Sequence, residues 1–301
     1  MTQLITTDKN SYAAMAKMVG IANEGAAYSD SQLPRLKIIH KSIMGTKEFD
    51  GKQAKVEVVE AGSFKLEMPN GSVHYAPSIK MRMILQRFSH KRWIPGDANT
   101  QGRYVKSMMT DDAKLESDLK DDDGGFNCGK PAGYIKDFKA LPPKMQDTIK
   151  QIKRVRGIFG TVDLVNPTDD SGNKVTVDTT PFIWEVENRE AFKEMGSVFA
   201  SLFKMQRLPM QHYITVNSDE RQTASGSNKY YVPVPSLDLS VEIPTDDATQ
   251  ELGANFMAWI DRQNNSIMEK WKEKVDAKMS DDDVDVVNDM VQIEVDDEEA
   301  A

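Results

Sequence analysis

Between Ser78 and Lys106 lie seven lysines or arginines and one acid, Asp97, interleaved with aromatic rings. Lys80, Arg82, Arg87 and Phe88 come first, then Lys91, Arg92 and Trp93 after His90, and finally Arg103, Tyr104 and Lys106. A second basic stretch, Lys130 to Arg156, sets eight lysines or arginines against Asp137 and Asp147. It contains Lys130, Tyr134, Lys136, Phe138, Lys153, Arg154 and Arg156. Cations neutralise phosphates, and flat rings stack on unpaired bases for about 1–3 kcal/mol each. The chemistry implied is the binding of single-stranded nucleic acid. The alternative is an ordinary charged face with Trp93 and Tyr134 in the core.

Other chemistry is weakly represented. The segment Gly124–Pro131 (GGFNCGKP) matches seven positions of a phosphate-binding loop, but Pro131 stands where serine or threonine would hold magnesium. Asp121, Asp122 and Asp123 precede it and would repel a triphosphate. The glycines predict a flexible loop that brings Phe126, Lys130 and Tyr134 to a ligand, or else a surface turn. Cys128, the single cysteine, and four dispersed histidines carry no nucleophile or zinc spacing. Glu185 and Glu187 share a strand face, as a two-metal nuclease would need, yet their setting also fits a half-buried strand. No catalytic residue, metal or cofactor is assigned, and the chain is read as a non-enzyme.

Charge divides the chain in two. Asp281 to Ala301 holds ten carboxylates and no cation: Asp281, Asp282, Asp283, Asp285, Asp289, Glu294, Asp296, Asp297, Glu298 and Glu299. The rest has 38 basic against 37 acidic side chains, so the whole imbalance of −9 lies in this tail. A terminal polyanion can occupy a cationic groove in place of nucleic acid or dock on basic partners, or serve only as a solubiliser. One cysteine excludes an intramolecular disulfide, and neither a secretory signal nor an apolar span is evident. The expected location is cytoplasmic, away from membranes.

These residues need a scaffold, and the patterning predicts an α+β, mainly β, domain. Strands are expected at 35–44, 54–60, 63–68, 78–88, 156–165, 181–187, 211–217 and 229–241, with a hairpin turn at 69–71. Alternation puts Lys80, Arg82, Gln86 and Phe88 on one face and Met81, Met83 and Leu85 on the other. Helices are expected at 9–28, 142–155, 188–208, capped by Asn188, and 246–279. The resulting division is an N-terminal arm or short helix (1–29), a nucleic-acid-binding domain (30–243), a C-terminal helical segment (244–279) and a disordered acidic tail (280–301).

This order of parts, with its basic-aromatic strands, GGFNCGKPAGYIKDF, KMQRLPMQHYITV and acidic tail, resembles phage single-stranded DNA-binding proteins of the T7 type. The resemblance implies an OB-like barrel with inserted loops and one central amphipathic helix. It implies sequence-independent DNA binding and protection in phage replication, recombination and repair within the infected host cell. The tail would compete for the DNA groove and contact phage or host replication proteins such as polymerase and helicase/primase; a homodimer is compatible. Tails of that group end in an aromatic residue, whereas this one ends Glu298, Glu299, Ala300, Ala301. The other class admitted is a phage structural or assembly protein with an acidic regulatory tail.

Overall fold

The computed structural model describes residues 32–49, 52–96, 100–223 and 226–296, with side chains of the last helix described to Ala277. The helix expected at 9–28, Asp97 and residues 297–301 lie outside the described residues. The strands in chain order are β1 (Arg35–Ile38), β2 (Ile43–Phe49), β3 (Lys52–Val59), β4 (Phe64–Glu67), β5 (Val73–Ala76) and β6 (Ser78–Ile94). They continue with β7 (Arg103–Lys106), β8 (Ile152–Val165), β9 (Thr180–Val186), β10 (Tyr213–Gln222) and β11 (Lys229–Asp238). Three helices accompany them: α1 (Pro143–Gln151), α2 (Arg189–Lys204) and α3 (Asp247–Asp296). The class is α+β.

Nine strands form one mixed sheet in the order β11-β10-β6-β8-β9-β1-β4-β5, with β7 on β6; β2 and β3 make a separate ribbon. The sheet is not closed, which corrects the expected OB-like barrel. Its β11–β10 end does approach other parts of the chain: the Tyr231 amide on β11 donates to His40 Nδ1, just after β1, at 3.1 Å, and Ser218 Oγ on β10 to the Gly62 carbonyl, just before β4, at 2.7 Å. Alternation points the backbone nitrogens of Tyr231, Pro233 and Pro235 to that same outer edge, and both prolines lack the N–H. A ladder cannot continue there, so side chains bridge the gap instead.

The sheet is covered on both faces. On one, Ile79, Met81, Met83, Ile158, Val162, Phe182, Trp184, Ile214 and Val216 pack against Ala191, Met195, Val198, Phe199 and Leu202 of α2. Asn188 caps that helix, accepting from the amides of Glu190 at 2.8 Å and Ala191 at 3.1 Å. Phe203, expected in its apolar stripe, is instead exposed. On the other face, Ile84, Phe159 and Ile183 meet Phe256, Trp259 and Ile260 of α3. Burying each such side chain contributes about 1.5–3 kcal/mol.

The central pair, β6 with 17 residues and β8 with 14, is longer than the sequence pattern suggests. Helix α1 stops at Gln151, and Ile152–Val155, expected as its last turn, pair with Ser89–Arg92. Midway, Met83 pairs with Gly160 and Leu85 with Phe159, leaving Ile84 as a bulge. A Cβ on Gly160 would stand 2.1 Å from the Arg82 carbonyl oxygen, so only glycine admits this approach. The bulge reverses the parity of β6. Met81 and Met83 face α2, but beyond it Gln86, Phe88, His90 and Arg92 take that side. Leu85, Arg87, Ser89, Lys91 and Trp93 face α3.

Candidate nucleic-acid interface

The reversal divides the basic-aromatic residues between opposite faces of one strand pair. On the α3 face, Lys91 pairs across the ladders with Lys153 on β8 and Lys106 on β7, three ammonium groups abreast. Like charges set opposite one another repel. Glu187 accepts from Lys91, and from Lys153 at 3.1 Å, while Glu185 lies 3.3 Å from Lys91 and 3.4 Å from Lys106. Lys91, Lys106, Glu185 and Glu187, with Arg35 and Trp259, line a cavity of about 240 Å3 under α3. Burial alone would raise the Glu185 and Glu187 pKa values, but Lys106, Lys91 and Arg35 around Glu185, and Lys91 and Lys153 around Glu187, lower both overall. Ammonium groups thus occupy the place a nuclease would give to metal ions. Among the described residues no cluster of three His, Cys, Asp or Glu side chains could hold one.

A pH dependence follows from this network. Carboxylates with lowered pKa values stabilise the fold above the ordinary glutamate pKa of about 4.3, and that contribution is lost as pH falls through their folded values. The double substitution Glu185→Gln, Glu187→Gln is expected to remove about 2 kcal/mol at pH 7, between exposed and fully buried pairs. Urea unfolding at pH 7 and pH 3 checks it: the difference between the two proteins should be smaller at pH 3. A constant difference would refute the assignment.

At the far end of this face, Trp93 and Tyr104 stand edge to face, centroids 4.7 Å apart, each 46% exposed. Lys91 Nζ lies 4.4 Å from the Tyr104 centroid, and Arg103 pairs with Asp123. Phe126 is exposed beside Trp271, 5.8 Å away. Arg87 donates to Met257 Sδ, Arg82 to the Met210 and Pro244 carbonyls, and Lys80 lies 4.0 Å from the Tyr213 ring centroid. Arg87 and Arg82 thus tie α3 and the chain just before it to β6, while Lys80 packs on β10.

On the α2 face the cross-strand pairs are Phe88 with Arg156, His90 with Arg154, and Arg92 with Ile152. Phe88 is core, which removes the expectation that its ring meets a ligand. Arg156, 7% exposed, lies among the rings of Phe88, Phe192 and Phe199 and donates to Gln86. Burial and Arg154 lower its pKa to about 10. Gly196, mid-α2, leaves room for this guanidinium: a Cβ there would stand 2.7 Å from Arg156 Nη2. Arg154 is exposed and donates to the Ala113 carbonyl, while Lys130 donates to the Pro131 and Gly133 carbonyls at 2.9 and 2.7 Å. Arg92, Lys130, Arg154 and Arg156 make no ion pair among the described residues, in contrast to Lys91, Arg103, Lys106 and Lys153. Lys136 is exposed nearby in sequence, and Tyr134 is 88% exposed.

No family model, curated protein or solved structure matches the chain. The site therefore stands on its own geometry.

The glycine segment holds its own carboxylate where a phosphate-binding loop would hold a nucleotide. Asp121, buried, accepts from the amides of Gly125 at 2.9 Å, Asp123 at 3.1 Å and Cys128 at 2.9 Å. The expected flexible loop is thus pinned, and its amides are spent. Asn127 adds a contact to the Leu119 amide at 3.0 Å and another to Asp118 at 3.0 Å. Burial, with Asp121 and Asp122, pushes the Cys128 thiol up, so it is no nucleophile at neutral pH. The pinned loop carries Lys130 toward Arg154 and His90.

His90 is the residue that sequence reasoning passed over. It is 1% exposed, and among the described residues neither ring nitrogen has a hydrogen-bond partner. The signal that would have found it is its place opposite Arg154, visible only once the bulge sets the register.

Proposed function

We propose that the protein binds single-stranded DNA without sequence preference and protects it in phage replication, recombination and repair, as a binding protein and not an enzyme. The observation that carries this reading is the convergence of Lys130 and Arg154, neither in an ion pair among the described residues, in one cavity wall with the exposed Tyr134 ring. The cations supply phosphate contacts and the ring a stacking surface. The acidic tail acts as an internal competitor for the cations and, when displaced by DNA, as a contact for replication proteins.

Fluorescence polarisation of a labelled dT oligonucleotide tests the reading. Affinity should fall as salt rises, with a log–log slope of about −0.7 per phosphate neutralised, and duplex of equal length should bind more weakly. Equal affinity for duplex would overturn it. Removing residues 281–301 takes the formal charge from −9 to about +1. At low salt the shortened protein should bind dT about tenfold more tightly, an advantage that shrinks as salt screens the tail. Unchanged affinity would show that the tail does not compete.

A further inference from the structure

Under the pinned glycine segment lies a cavity of about 560 Å3, within the range of about 300–1,000 Å3 common for small-molecule sites. His90, Leu115, Lys130, Tyr134, Phe138 and Arg154 contribute to its wall. Three kinds of group meet there. Lys130 and Arg154 bring positive charge with only carbonyl partners among the described residues, and Glu116, also in the wall, is paired with Lys114 at 3.6 Å. Tyr134 and Phe138 bring rings. His90, almost completely buried, brings two ring nitrogens with no hydrogen-bond partner among the described residues. Buried polar atoms nearly always have partners, so two orphan nitrogens on a residue that borders the cavity favour a ligand toward which the ring can turn.

We infer that this cavity receives one nucleotide unit, its phosphate held by Lys130 and Arg154, its base against Tyr134 and Phe138, and its polar edge toward His90. Burial, with Lys130 and Arg154 adding to it, lowers the His90 pKa to about 4. The ring is therefore neutral at pH 7 and offers one donor and one acceptor. Every base edge carries both, so such a pocket fits a nucleotide without selecting its base. The anion also belongs there electrostatically, because it would relieve the repulsion between the two cations. The inference deepens the DNA-binding reading and rests on it for the source of the nucleotide, a strand as opposed to a free monophosphate.

The fluorescence of 2-aminopurine, which falls when the base stacks, separates the two sources. One probe is a dT oligonucleotide with a single 2-aminopurine, and the other is free 2-aminopurine deoxyriboside 5′-monophosphate. The full-length protein should quench the first. Tyr134→Ala and His90→Gln should lose most of that quenching while polarisation still registers the strand, bound about tenfold more weakly. Because the Tyr134 ring is largely exposed, its variant decides alone if circular dichroism shows His90→Gln unfolded. Strand binding without quenching, or quenching retained in the variants, overturns the pocket and leaves strand binding standing. If the protein binds no strand, the DNA reading falls. Quenching of the free monophosphate that Tyr134→Ala abolishes would then keep the pocket as a free-nucleotide site, and its absence would overturn the pocket too.

Discussion

Replacing Lys130 and Arg154 together with alanine is expected to lower affinity for a dT oligonucleotide about a hundredfold. A charge-assisted contact contributes about 1.5–3 kcal/mol, and 1.4 kcal/mol is a factor of ten, so each residue accounts for at least one decade. Loss of two phosphate contacts should also flatten the log–log salt dependence by about 1.4. The fold should survive, because Arg154 is exposed and each side chain's partners are carbonyls on loops. The comparison that gives the result meaning is Arg103→Ala. Its guanidinium already has Asp123, so its removal should change affinity by less than about threefold. Equal losses at Arg103 and at the Lys130–Arg154 pair would remove the distinction between neutralised and un-neutralised cations, and with it the main support for the interface.

How far the sequence announced this arrangement depends on which force decides each element. The apolar stripe and Asn188 cap of α2 were legible because local forces set them: spacing buries Met195, Phe199 and Leu202, and the cap satisfies two amides. The turn at 69–71 was legible for the same reason, with Asn70 Oδ1 accepting from the Ser72 amide at 2.9 Å between β4 and β5. The α1 boundary was not. Lys153 and Val155 read as well in a helical turn as in a strand, and the ladder with β6 decides against the helix. The barrel expectation failed on Pro233 and Pro235, whose effect depends on which edge their nitrogens face.

The site itself was half legible. Basic and aromatic residues do gather at the distal end of β6 and β8, as composition suggests. What alternation alone predicts is a single face, and one bulged residue, Ile84, makes it two. That residue has no signature of its own; the tolerance for it lies on the neighbouring strand, in Gly160. The consequence is chemical. Lysines on one side meet Glu185 and Glu187, 29 and 31 residues beyond the end of the basic stretch at Arg156, and are neutralised. Arginines on the other side meet α2 rings and carbonyls, and keep their charge. Charge counting along the chain cannot separate these groups, because their partners come from β9, α2 and the glycine segment.

Truncating Phe256 to alanine tests that separation of faces. The side chain is 1% exposed, its ring centroid is 5.7 Å from that of Phe159, and it shares a core with Ile84, Ile183, Trp259 and Ile260. Loss of a buried phenylalanine costs about 3–5 kcal/mol, a large part of the stability of an ordinary domain. Urea unfolding should show this as a lower midpoint, and hydrogen exchange should show faster opening where Asn264 bonds both the amide of Met109, at 2.7 Å, and its carbonyl, at 3.0 Å. DNA binding should respond differently. Phe256 supports the α3 face, whereas Arg154 and Lys130 stand on the α2 side of β6 and β8, held by strand pairing and by Asp121. Under conditions where the variant remains folded, its affinity for dT should therefore stay within about twofold of the parent, since the altered core and the interface share no contact. A loss of affinity in step with the loss of stability would mean that both faces bind DNA together, and that Trp93, Tyr104 and the lysine row belong to the interface after all.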